Sequence, residues 1–249
     1  MKSKSFKALL SSDWNECLAP CGPFDAFVQH YPQHATELDR IFRQYTGNAI
    51  TLGQAARQIE ALVPQGISAA QMDAYLKRHF RTYSGVTRLM RWCRDNGVLL
   101  MINTTGMIGY FQRLSAMGLL PQLPVLSAHG LVRFAPLPSD PETILPLVET
   151  DDKAVHTAAV AGRYGIAPRC TFVMGDSGGD GPHFRWGAGV GACLIASMAK
   201  PSLLSYCRKH DIAIDHFFGH TYSPEEEKSP EKELGYDFMT LCAIIEAAL

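Results

Sequence analysis

Four polar positions stand at the ends of short apolar runs, and their side chains are of the types that phosphoryl transfer requires. Asp13 follows Phe6–Ser12 and opens the stretch Asp13-Trp14-Asn15-Glu16-Cys17. Thr104 follows Val98–Asn103 and precedes Thr105-Gly106, and Lys153 sits at the start of a helical pattern. Gly175-Asp176-Ser177-Gly178-Gly179-Asp180 comes directly after Thr171–Met174. In a parallel sheet the carboxyl ends of the strands converge on one crevice, so residues far apart in sequence can share a site there. Together these positions offer a carboxylate nucleophile, two further carboxylates for a hard cation, a hydroxyl donor and an ammonium. Phosphoryl transfer needs such a set: a nucleophile, a metal, and groups that neutralise charge on the equatorial oxygens.

The elements that must position these groups alternate between strand and helix, which predicts an α/β fold, a doubly wound and mostly parallel sheet. The strand candidates are Phe6–Leu10, Val98–Ile102, Pro124–Leu126, Cys170–Met174 and Ala192–Ala196. Helices are expected over Thr87–Asn96, Ile108–Met117 and Asp152–Tyr164, each closed by a glycine, and over the tail Tyr236–Leu249. The interval 20–85 reads as helix only. Its apolar residues recur at helical spacing (Phe24, Phe27, Val28; Leu38, Ile41, Phe42; Ile59, Leu62; Met72, Leu76, Phe80), with Pro and Gly as punctuation. A helical insertion after the first strand sits above the carboxyl edge of the sheet, where ligands bind. The expected division is a core of 1–19 and 86–249 with a small helical cap domain of 20–85. The segment 219–235, charged and proline-containing, is expected to be an exposed loop.

Composition narrows the function classes. With 249 residues and 47% of them hydrophobic, the chain can bury a full core without staples. A formal net charge of -1 and no long basic block leave no electrostatic footprint for nucleic acid. No apolar run approaches the roughly 20 residues that span a bilayer, and the basic start runs straight into Asp13 rather than into a signal sequence. The seven cysteines are scattered without a CxxC pair, which points to reduced thiols in the cytoplasm. Oligomeric state leaves no trace in this reading.

The ordered set resembles the haloacid dehalogenase superfamily: Asp-x-Asp-x-(Thr/Val) after a hydrophobic strand, a Thr or Ser closing another strand, a Lys, and an acidic Gly-Asp-x-x-x-Asp. The order is kept, and the helical insert falls where that family places its first type of cap. The resemblance implies a soluble Mg²⁺-dependent phosphohydrolase acting on a small phosphorylated substrate. Asp13 would attack phosphorus and become an aspartyl-phosphate. Mg²⁺ would be held by Asp13, the backbone carbonyl of Asn15 and Asp176, with Asp180 binding through water or orienting Lys153. Thr104 and the amides near Thr105 and Gly106 would hold phosphoryl oxygens, and Lys153 would offset their charge. Each position has a plainer reading too. Lys153 suits a solvated first helical turn, and whether Thr104 or Thr105 meets the phosphate is a matter of register.

The pattern departs at Asn15, where phosphatases of this family usually carry an acid–base aspartate. Such help is typically worth about 10²–10⁴-fold, and an amide cannot supply it. Three outcomes follow: a substrate with a good leaving group, a replacement acid such as Glu16 or a cap residue, or a phospho-ligand binding protein with little turnover. Branches that cleave phosphonates or dehalogenate acids also lack this aspartate, and Lys77 is the only lysine in the insert that phosphonate chemistry could use. Of the remaining candidates, Cys17 and Cys21 lack further metal ligands nearby, His216 and His220 read as a surface turn, and His183 stands near the crevice in either a substrate or a packing role.

Overall fold

The computed structural model describes residues 5–22, 24–47, 49–247 and 249; the first four residues of the basic start lie outside it. In chain order the elements are β1 (Ala8–Ser12), α1 (Asp25–His30), α2 (Ala35–Thr46), α3 (Leu52–Leu62), α4 (Ala69–His79), α5 (Val86–Asp95), β2 (Val98–Met107) and α6 (Ile108–Ala116). There follow β3 (Val125–His129), β4 (Thr143–Leu147), α7 (Asp152–Tyr164), β5 (Thr171–Gly175), α8 (Gly181–Val190) and β6 (Cys193–Ser197). The last are α9 (Pro201–Lys209), β7 (His216–Phe218), α10 (Pro230–Leu234) and α11 (Leu241–Ala247).

Seven strands form one sheet in the order β4-β3-β2-β1-β5-β6-β7, and every pairing is parallel. Helices cover both faces, so the central strands carry near-continuous apolar runs. Successive residues still divide between the faces. Leu9, Leu99, Met101 and Val125 pack with Val160 of α7, while Leu10, Leu100, Ile102, Phe172 and Met174 join the larger cluster with α5 and α6. The chain runs outward from β1 to β4 and then returns to β5 on the other side of β1. That reversal opens a crevice at the carboxyl ends of β1 and β5.

The expected strands are found with most ends moved by one to three residues, and with β2 starting as expected at Val98 but running five residues further, to Met107. β1 extends through Ser11 and Ser12 because pairing with Met101 and Ile102 on one side, and with Val173 and Met174 on the other, outlasts the hydrophobic run. Two edge strands were not foreseen. β4 is mostly half-exposed and carries Pro146, which only an edge tolerates; β7 is three residues long and begins at His216, where a surface turn is expected. The segment 219–235 is not simply an exposed loop. It contains α10, and its Tyr222 and Glu233 are buried, joined through the Tyr222 hydroxyl to Glu233 Oε1 at 2.9 Å.

The interval 20–85 is helical, as its spacing predicts, and side chains of α6 and of the turn before α7 help tie it to the rest of the chain. Arg113 of α6 makes a paired hydrogen bond to Asp73 of α4, at 2.7 and 2.8 Å. Glu149, just before α7, caps the amino end of α3: it accepts from Leu52 N at 3.0 Å, Gly53 N at 3.1 Å and the Thr51 hydroxyl at 2.8 Å. A carboxylate there satisfies amides that the helix cannot and meets the positive end of its dipole. Glu149→Ala is expected to destabilise the fold by about 1–2 kcal/mol, read as a drop of several degrees in thermal midpoint. An unchanged midpoint would show that the cap carries no weight.

Candidate active site

Asp13 leaves β1 with its amide still in the ladder, donating to Met174 O of β5 at 2.9 Å. Its Oδ1 accepts the Trp14 amide at 2.6 Å and its Oδ2 accepts Lys153 Nζ at 3.0 Å. Lys153 projects from the first turn of α7 and is only 1% exposed; its Nζ also reaches Asp180 Oδ1 at 2.6 Å. Asp180 Oδ2 accepts the amides of Asp176 at 3.0 Å and Ser177 at 3.2 Å. This fold-back requires glycine at position 175, where a Cβ would lie 2.5 Å from the Asp180 carboxyl carbon. The solvated-lysine reading of position 153 is thereby excluded.

Asp176 is buried, and neither of its carboxylate oxygens has a hydrogen-bond partner; only the Lys200 ammonium, 2.6 Å from Oδ2, balances its charge. Carboxylate oxygens of Asp13, Asp176 and Asp180 all lie within 4.8 Å of one another. Buried carboxylates with unused lone pairs are the donor set of a hard divalent cation, so the residues fit Mg²⁺. Asp180 accepts three hydrogen bonds and each oxygen of Asp13 accepts one, so Asp176 has the most unused lone pairs and Asp13 keeps one further acceptor site on each oxygen.

The electrostatics agree with that reading. Burial raises the Asp13 carboxyl, with Lys153 pulling the other way. Burial also raises Asp176 to about 8, against the opposing pull of Lys200. Burial alone would lower the Lys153 and Lys200 ammoniums, but the carboxylates around them more than reverse it. Glu16, in the left-handed region at φ 59°, is paired with both Lys200 and Lys228. Burial would raise it, yet the two lysines hold it down at about 2.

Asn15 is spent structurally. Its Oδ1 accepts the Thr104 hydroxyl at 3.0 Å and its Nδ2 donates to Cys21 O at 3.1 Å, joining the second motif to the start of the helical segment. The Thr104 hydroxyl accepts the Gly106 amide at 3.1 Å, and a Cβ at Gly106 would meet Asn15 Oδ1 at 2.7 Å. Thr104 is fully enclosed, whereas Thr105 is on the wall of the cavity. The hydroxyl that faces the cavity is therefore one residue later than the Thr104 reading has it. Asp13, Asn15, Glu16, Thr105, Lys153, Asp176 and Lys200 share that wall with Phe42, Tyr45 and Thr46 of α2, around about 30 Å³ accessible to a water-sized sphere. Lys77 is exposed and away from it.

Beneath the site, Asn103 Nδ2 reaches Ser11 Oγ, Thr157 Oγ1 and the Lys153 carbonyl at 2.8–3.1 Å, and His183 Nε2 lies 2.9 Å from Thr157 Oγ1. His183 is thus a buried packing residue behind α7 and does not line the cavity. Three groups at the site escaped the sequence reading. Lys200 follows β6 and meets the same strand-end criterion as Asp13, so that criterion could have found it. Tyr45 and Lys228 carry no such signal, being an aromatic among helical apolar residues and a lysine in a charge run.

No family model matches the sequence, and no curated protein is similar to it in sequence. Solved structures are similar in fold. A phosphoserine phosphatase captured as a phospho-aspartyl intermediate analogue superposes with a TM-score of 0.67 at 16% identity, over 96% of this chain and 99% of that one. A HAD family hydrolase from Salmonella enterica subsp. enterica serovar Typhi gives 0.68 at 18% identity, over 100% and 74%. The fold is that of the haloacid dehalogenase type. A substrate-bound phosphoserine phosphatase complex, at 0.63 and 18% identity over 84% and 93%, shares this HAD-type architecture.

His183 provides a check on the packing beneath the site. Burial first, and Lys153 second, lower its pKa from 6.5 to about 3. The unfolded chain takes up a proton below about pH 6.5 while the folded one does not, so this contribution is complete above pH 6.5. It drains as pH falls toward 3, at up to about 1.4 kcal/mol per pH unit. Comparing urea midpoints at pH 7 and pH 5, the loss on acidification should be smaller in His183→Gln than in wild type; equal losses would contradict the buried neutral imidazole.

Proposed function

We propose that the chain is a Mg²⁺-dependent phosphohydrolase that attacks a small phosphorylated metabolite through Asp13. In this reading residues 20–85 act as a cap on a core of 1–19 and 86–249. The observation that carries it is the buried cluster at the β1–β5 crevice: Asp13 held by Lys153, beside an Asp176 whose oxygens are without hydrogen bonds. The HAD-type fold, shared with phosphoserine phosphatases, supports the same substrate class. Seven free cysteines are in keeping with the reducing cytoplasm, where we place the protein.

Asp13, Asp176 and the Asn15 carbonyl would hold the ion, which when bound would offset charge on the phosphoryl oxygens. The chain's own residues do the rest. An Asp13 oxygen forms a bond to phosphorus while the bond to the leaving oxygen breaks, and the electron pair departs with that oxygen. Water then cleaves the aspartyl-phosphate and restores the carboxylate. Lys153 keeps the Asp13 carboxylate oriented and neutralises the equatorial oxygens from below, and Asp180 fixes Lys153. Thr105 bounds the phosphoryl position, while the Gly106 amide is held by the Thr104 hydroxyl.

Proton supply is the open element of this chemistry. Asn15 has none to give, and Glu16, held ionised by two lysines, is no acid at neutral pH. This favours substrates with good leaving groups, or a donor from the cap. A second reading, weak turnover by a phospho-ligand binding protein, draws on the fact that both ends of the Asn15 amide are bonded. Phosphonate cleavage through a cap lysine is disfavoured by the exposed position of Lys77, and dehalogenation would survive chelation.

A panel of phosphate esters and acyl phosphates with Mg²⁺ is the direct test. Turnover should disappear with chelator, return with Mg²⁺, and fall by more than about 10³-fold in Asp13→Asn. Turnover that persists in chelator, or in that variant, would overturn the reading. Asn15→Asp should raise hydrolysis of alkyl esters by at least about tenfold if a missing acid limits the rate. The Cys21 carbonyl beside its Nδ2 would favour the protonated carboxyl there. A decrease would mean that the amide's two bonds matter more than the acid.

A further inference from the structure

Tyr45 stands where an acid is missing. It lies near the carboxyl end of α2, one turn after Phe42, and is 6% exposed. It shares the cavity wall with Asp13, Thr105, Lys153 and Gly179. Its hydroxyl meets the Thr105 side chain, and the bare α-carbon of Gly179 gives it room: a Cβ there would stand 3.4 Å from the phenol oxygen. The charged groups facing it are Lys153 from α7, Asp13 from the end of β1 and Asp180 from the turn after β5. Burial raises the phenol well above its ordinary value, with Lys153 and Thr105 opposing, so it keeps its proton throughout the physiological range.

Asp13 stands at the end of β1, while Tyr45 belongs to α2 of the helical segment, and both line the same cavity. In-line displacement places the leaving oxygen opposite the attacking one, so the proton it takes has to come from a cavity-wall group other than Asp13. The side chains of α2 that reach the cavity are Phe42, Tyr45 and Thr46, and Tyr45 is the one phenol among them.

Resting on the phosphohydrolase reading, we propose that Tyr45 is the catalytic acid for the leaving group, supplied by the cap in place of the side chain that Asn15 lacks. As the phosphorus–oxygen bond breaks, its electron pair stays on the leaving oxygen, which takes the phenol proton. Water attacking the aspartyl-phosphate then returns a proton to the phenolate. Atoms and charge balance over the two steps without a further reactant. An alkoxide is basic enough to take a proton from a phenol as it departs, whereas a leaving group that is stable as an anion gains little from one.

The experiment compares wild type, Tyr45→Phe and Asp13→Asn on two Mg²⁺-loaded substrates, a small alkyl phosphate and p-nitrophenyl phosphate. Tyr45→Phe keeps the ring and removes only the hydroxyl; its melting curve reports whether the fold is retained. Its kcat on the alkyl ester should fall by about 10²-fold or more, while kcat on the aryl ester falls by less than about threefold. An equal loss on both would make Tyr45 a closure or binding residue, and no loss on either would remove it from the site; each overturns the assignment while Asp13-dependent turnover leaves the phosphohydrolase reading intact. Wild type inactive on both esters, or Asp13→Asn as active as wild type, would overturn that reading and this assignment with it.

Discussion

Three carboxylates are buried together at the end of a parallel sheet, and the surrounding structure is arranged around the cost of keeping them there. Unpaired, each would be driven toward its neutral form, because the interior disfavours charge and like charges disfavour one another. Lys153 between Asp13 and Asp180 is the main compensation, and it is itself wholly buried. Its position depends on α7, whose first turn is fixed from behind by Asn103 and Thr157 at the Lys153 carbonyl. Asp180 in turn is held by two amides of its own turn. A chain of buried polar bonds therefore runs from β1 and β2 through α7 to the turn after β5, and Asp176 stands at its end with lone pairs free.

Much of this was legible in the sequence because parallel sheets impose a simple rule: polar residues at the carboxyl ends of buried strands converge. Asp13, Lys153, Asp176 and Asp180 meet as the rule requires, and the helix over Asp152–Tyr164 was readable from its first residue to its last. Edge strands were illegible for a physical reason. β4 and β7 are stabilised by one neighbour each, are short, and lack the apolar continuity of strands covered on both faces. Register within β2 was equally hidden. Thr104 and Thr105 are identical in type, and only the bond from Thr104 to Asn15 decides which hydroxyl faces the cavity. Tyr45 and Lys228 reach the site by tertiary packing alone, and nothing local marks them.

Asn15 shows how a departure from a family pattern acquires meaning only in three dimensions. Read as a sequence, it is an acid that has been lost. In the structure its amide uses both of its ends, accepting from Thr104 and donating to Cys21 O, which a single ionised carboxylate cannot do. It links Thr104 at the end of β2 to the point where the helical segment begins. Glu16 beside it is similarly committed, to Lys200 and Lys228. The charged segment 219–235 thus takes part in the site through Lys228, although its composition resembles that of a solvated loop.

Under the proposed function, these commitments would move proton transfer away from the stretch that follows Asp13 and toward the helical segment. A substrate bound beside Asp13 would meet Phe42, Tyr45 and Thr46 of α2 on the cavity wall. Elsewhere in the helical segment, Glu149 holds the start of α3 and Arg113 holds α4. Helix α2 reaches the cavity wall by Phe42, Tyr45 and Thr46. In the proposed chemistry a substrate lying against α2 would meet the phenol, and one too short to reach it would gain no acid. Specificity and proton supply would be coupled through one helix, with the aspartate cluster below unchanged from one substrate to the next.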